Sequence, residues 1–157
     1  MRRKYLFILM FFLVLVVTCG ALVWKFMQGL PMPPPDNVNN YVVGFQELGE
    51  SVYIRARSWG ISGNHQEIIV ATEPIINKHR VYFRERQYVF LDPELFYQKK
   101  GIDTLVLYVY DTSAIPESLS TRIHFIQVEL KNYDEIHDFE ENYERYGLTR
   151  ASVYPGE

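Results

Sequence analysis

Residues Tyr5 to Trp24 form a run of twenty with no charge and almost no polarity, and Arg2, Arg3 and Lys4 stand directly before it. At about 1.5 Å of rise per residue such a helix spans roughly 30 Å, the hydrocarbon thickness of a bilayer. A basic cluster is retained on the cytoplasmic side. The segment therefore predicts a cytoplasmic tip at 1–4, a transmembrane anchor at 5–26 and an extracytoplasmic remainder. Tyr5 and Trp24 lie where interfacial aromatics belong.

Two other leaders compete with this anchor. A cleaved signal peptide has an apolar region of about 7–15 residues ending at small residues, whereas here the run continues through Gly20-Ala21-Leu22-Val23-Trp24. A lipoprotein signal would place its lipid on Cys19, but Thr18 suits such a site poorly. Each alternative still exports the domain. Cys19 is the single cysteine, so with it in the anchor the domain has no disulfide and must rely on an ordinary core. About two thirds of its unfolded surface can be buried at this size.

Charge divides the chain in the same place. Residues 1–30 hold Arg2, Arg3, Lys4 and Lys25 and no acid; removing these four from 16 basic residues leaves 12 against 19 acidic, a net charge near −7. Nucleic acid and anionic lipid both reward basic surfaces, so nucleic acid is not expected as a partner. The bilayer is, through residues 5–26, and a protein partner is left open. Pro31-Met32-Pro33-Pro34-Pro35 favours an extended polyproline helix, which makes residues 27–37 a stiff stalk ahead of a domain at 38–157.

That domain reads mainly as β-structure. Strands are expected at Tyr41–Phe45, Val52–Arg57, Glu67–Thr72, Tyr88–Leu91, Leu95–Tyr97, Thr104–Tyr110 and Ile123–Leu130, with a short last one around Ala151 and Val153. Thr104–Tyr110 is apolar on both faces and is expected in the middle of a sheet. Ile123 and Phe125 run out of phase with Ile126, Val128 and Leu130, which suggests a bulge or a twist. One helix is expected at 132–146. Asn132 caps it with Glu135 in a capping-box-like pair, and Gly147 stops it. Ile136, Phe139, Tyr143 and Tyr146 supply its apolar face. The expected fold class is α+β: a mostly antiparallel β domain, sandwich-like or a single curled sheet, covered by one C-terminal helix.

Motif density is highest in Ser58-Trp59-Gly60-Ile61-Ser62-Gly63-Asn64-His65-Gln66-Glu67. Its glycines and Asn64 tolerate positive φ, so a hairpin loop is the plain explanation. The sharper one is a binding loop of Trp59, Asn64, His65 and Glu67. His65 and Glu67, two apart on a strand, share a face and could serve as an acid–base pair or hold one metal. Gly63-Asn64-His65 is similar to the Gly-Asn-His segment of calcineurin-like metallophosphoesterases, but that family's Asp-x-His, Gly-Asp-x-x-Asp and Gly-His-x-His motifs do not occur. One histidine and one acid also fall short of the three or four protein ligands of zinc sites, so no cofactor or metal is expected. There is no Gly-x-Ser-x-Gly elbow. Lys78, Arg80, Arg84 and Arg86 make a basic patch, read as a solvated edge or as an interface for an acidic partner.

The segment Ser58–Ile68, with Tyr88-Val89-Phe90, Leu95-Phe96-Tyr97 and the stretch Tyr143–Arg150, resembles a set of small bacterial envelope proteins. The resemblance implies an envelope location and no activity. The expected role is a membrane-anchored extracytoplasmic binding or interaction module, not an enzyme. The alternatives are a small envelope hydrolase or metal-dependent enzyme centred on His65 and Glu67, and an immunity-type or accessory subunit.

Overall fold

Among the described residues from Asn37 onward, eight strands and one α-helix follow the order β1 (Asn37–Phe45), β2 (Glu50–Trp59), β3 (His65–Ala71), β4 (Gln87–Phe90), β5 (Glu94–Lys100), β6 (Thr104–Val109), β7 (His124–Glu129), α1 (Tyr133–Asn142) and β8 (Thr149–Ser152). The computed structural model describes residues 18, 20, 37–60, 65–75 and 85–154. The chain divides into two units, Met1–Pro33 and Pro34–Glu157. The anchor expected at 5–26 lies outside the described residues apart from Thr18 and Gly20, both helical. Among the described residues no helix is long and apolar enough to cross a membrane. Of the stalk expected at 27–37, only Asn37 is described, and it already opens β1.

The strands form two four-stranded sheets, β1-β2-β3-β4 and β7-β6-β5-β8. All pairings are antiparallel except β6 with β7. The inward residues of β2 (Val52, Ile54, Ala56) and β3 (Ile68, Val70) meet Leu95, Leu105 and Leu107 of the second sheet in one buried cluster. The domain is thus a sandwich, which decides between the two expected forms. Each fully buried aliphatic or aromatic side chain contributes about 1.5–3 kcal/mol of transfer free energy.

A helix covers the outer face of the second sheet. Phe96 of β5, with Leu130 and Leu148, is buried there against Tyr108, Ile136, Phe139 and Tyr143. Covered on both sides, β6 carries apolar residues in both phases and occupies an interior position, as its pattern predicts. The same geometry corrects the bulge expected in β7, because Thr104↔His124 to Val109↔Glu129 pair without interruption. Phe125 faces the sandwich core, its ring 5.2 Å from Tyr88, while Ile126 and Val128 take the opposite face. Two apolar phases in one strand mark a sheet with layers on both sides.

The helix is shorter than expected. α1 ends at Asn142 and gives way to a 3-10 turn at Tyr143–Tyr146. Asn132 Oδ1 accepts from Glu135 N at 2.8 Å. Glu135 Oε2 accepts from Lys131 N at 3.1 Å, one residue earlier than in a strict capping box. Gly147 stops the chain at φ 67°, a left-handed geometry that favours glycine.

Residues 110–123 carry the chain from β6 back to the start of β7, the long crossover that a parallel pair requires. This strap runs antiparallel to the β4 edge: Val89 N donates to Ser113 Oγ at 3.0 Å and Ser118 N to Glu85 O at 2.7 Å. The Gln127 amide holds it from β7, accepting from Ser113 N at 2.8 Å and donating to Ser113 O at 2.9 Å. At its far end Thr121 Oγ1 and Arg122 Nε donate to Glu50, at 2.5 and 2.8 Å. Those bonds hold the Glu50 carboxyl below the usual carboxylate range.

Candidate functional site

The motif-dense segment is the β2–β3 hairpin. Arg57 pairs with Glu67, Ser58 with Gln66 and Trp59 with His65, so alternation places Arg57, Trp59, His65 and Glu67 together on the outer face of the first sheet. Gly60 turns out of β2 at φ 93°. Asn64 lies outside the described residues.

Three contacts join these side chains in a row. The His65 ring stacks on Trp59 at 5.6 Å between centroids and 22° between planes. The Arg57 guanidinium lies over the Trp59 ring at 4.7 Å, a cation–π arrangement. Arg57 Nε stands 3.5 Å from Glu67 Oε1, with the two side chains 6% and 2% exposed. Neither Arg57 Nε nor Glu67 Oε2 has a hydrogen bond among the described residues. On the same face, burial and the like charge of Arg57 hold the Arg55 guanidinium below its ordinary pKa, opposed by Glu67.

The arrangement constrains the chemistry. His65 and Glu67 do share a face, as expected, yet no hydrogen bond or ion pair between them is found among the described residues. The Glu67 carboxylate is turned to Arg57 and closed off from water, whereas a general base must reach the proton it takes. No group of three or more His, Cys, Asp or Glu side chains able to hold a metal occurs among the described residues. Of the basic patch, Lys78, Arg80 and Arg84 lie outside the described residues, and Arg86 is exposed.

Sequence reasoning missed Arg57 as the partner of Glu67, although the signal was present. A hairpin centred on residue 62 puts 57 opposite 67 and 59 opposite 65. It also missed a polar cluster beneath α1. Tyr110 Oη lies 2.6 Å from Glu94 Oε1 and 3.0 Å from Glu140 Oε1, and Arg150 pairs with Glu94 from the neighbouring β8. Burial, then the two glutamates, pushes the Tyr110 phenol far above its ordinary pKa. The phenol thus stays a neutral donor that fastens helix to sheet. At the link between the sheets, burial raises the Asp92 carboxyl above its usual range; a hydrogen bond from the Asp111 backbone opposes this and the Asp111 carboxylate adds to it.

No protein-family model matches the chain, and no curated protein or solved structure shows significant similarity to it.

Proposed function

We propose that this chain is a membrane-anchored, extracytoplasmic binding or interaction module without enzymatic activity. The observation that carries the non-enzymatic reading is the buried Arg57–Glu67 pair. It commits Glu67, the acid that shares a sheet face with His65, to a structural ion pair. The anchor and its orientation rest on the apolar run Tyr5–Trp24 behind Arg2, Arg3 and Lys4. A sandwich with a helix fastened on one side is a rigid platform suited to presenting a surface.

The test has two arms. A reporter active only outside the cytoplasm, fused after Glu157, is expected to be active, with the protein retained in membranes after a carbonate wash. A cytoplasmic C-terminus overturns the orientation. In the second arm the purified full-length protein is expected to bind no transition metal. Stoichiometric metal that is lost in His65→Ala overturns the non-enzymatic reading in favour of a metal-dependent enzyme.

A further inference from the structure

The edges of the two sheets are treated unequally. The β4 edge is covered by the 113–118 strap. The β1 and β8 edges are tied together: Asn39 Nδ2 donates to Ser152 O at 2.8 Å, and Tyr41 Oη accepts from Ser152 N at 3.2 Å. β7 is tied to the strap through the Gln127 side chain, but among the described residues its outward backbone groups make no hydrogen bond. Its parallel ladder is framed by His124 N on Asp103 O at 2.7 Å and Leu130 N on Val109 O at 2.9 Å. Residues 124, 126, 128 and 130 therefore turn their backbone groups to β6, and Phe125, Gln127 and Glu129 turn theirs outward.

Bare edges are usually blunted by charged side chains, lysine above all, by proline or by a bulge. β7 is His-Phe-Ile-Gln-Val-Glu, unbulged and without lysine or proline, with its one acid, Glu129, at its end, and its Ile126 is 48% exposed. Its pattern is also self-complementary. About a two-fold axis at Gln127, the outward residues pair as Phe125 with Glu129 of the other copy and Gln127 with itself. This is the one antiparallel register that uses all three. On the outer face it sets Ile126 across from Val128 of the other copy, and the reverse, and no like charges stand opposite.

We infer that β7 is the seam of a homodimer, in which two copies join their second sheets into one eight-stranded sheet. The isologous contact closes on itself, and the joined sheet ends at the two β8 strands, each tied to β1 of its own copy. So short a seam gains from two anchors confined to one bilayer, which raises the effective concentration of one strand at the other. The inference thus rests on the membrane-anchored reading above.

The experiment uses the full-length chain in membranes, in a Cys19→Ser background, with differently tagged Ile126→Cys and Val128→Cys copies co-expressed. In the proposed register 126 and 128 of opposite copies form a non-hydrogen-bonded pair, about 4.5 Å between Cα atoms and within reach of a disulfide. Like residues are diagonal neighbours about 7–8 Å apart and beyond it. Mild oxidation is expected to link mixed pairs and not like pairs. Ile126→Lys is expected to convert the detergent-solubilised dimer to monomer by light scattering, with thermal unfolding of the monomer intact. No mixed link in folded protein, like pairs linking as readily, or a dimer that persists in Ile126→Lys each overturns the seam. If the unlinked protein is still anchored and exported, only the seam falls; loss of anchoring removes the reading beneath it.

Discussion

Single side chains here are constrained mainly by what they would leave behind. Removing one partner of a buried ion pair strands the other charge, a loss of about 3–5 kcal/mol, whereas replacing both with apolar groups is often neutral. Glu67→Ala is therefore expected to lower the unfolding free energy by about that amount, and Arg57→Leu combined with Glu67→Leu to recover most of it. Chemical denaturation of the three proteins decides the matter; equal loss in the single and double variants would show that the pair is not the source. Asp92 predicts a dependence on pH. A carboxyl raised on folding favours the folded state while protonated, below its ordinary value of 3.8, and that advantage is lost as pH rises through the raised value. At neutral pH Asp92→Asn is expected to melt higher than the parent, and the gain is expected to vanish as pH falls below about 4. A pH-independent difference would place the cause elsewhere than in the charge.

At the scale of elements, the helix shows how much packing the sequence disclosed. The stripe Ile136, Phe139 and Tyr143 packs as its spacing implies, with Phe139 set 5.9 Å from Phe96 and 5.3 Å from Tyr108. Yet no residue of α1 is fully buried. Phe139→Ala is accordingly expected to cost roughly 2 kcal/mol, less than the 3–5 kcal/mol of a deep core aromatic, as measured by the shift in denaturant midpoint. An unchanged midpoint would mean that the helix is held by Tyr110 and its caps alone. The strands were legible because alternation and short apolar runs are both local properties. The bulge in β7 was misread because a two-phase apolar pattern has two causes, a defect in the strand or a second covered face, and one strand's sequence does not distinguish them. The Glu94–Tyr110–Glu140–Arg150 cluster left no local trace. Its members come from four elements as far apart as residues 94 and 150, so only the closed fold assembles it. The Arg57–Glu67 pair was readable in principle, since a hairpin maps distance from the turn onto cross-strand partners.

For the whole molecule, the two sheets differ in how their partners are spaced along the chain. The first is a meander whose neighbours follow one another. The second takes its β8 from the far side of the helix and sets it against β5, pairing Glu94 with Ser152. Deleting residues 149–157 is expected to expose the β5 edge and Leu95, giving a protein that binds a hydrophobic dye and loses cooperative melting. A truncated chain that melts as sharply as the parent would show that β8 is dispensable to the sandwich.

That spacing also has a temporal consequence. A chain made from its N-terminus can pair β1 to β4 as they appear, across connections of 4, 5 and 15 residues. The second sheet must wait for residues 149–152 to be made, and closing contacts over so long a separation is slow. In that interval the inner face of the meander, with Ile54, Ile68 and Val70, has nothing to rest on. Nascent protein is therefore most exposed to misassociation just before residues 149–152 are made, and a holding chaperone would find its target on the first sheet.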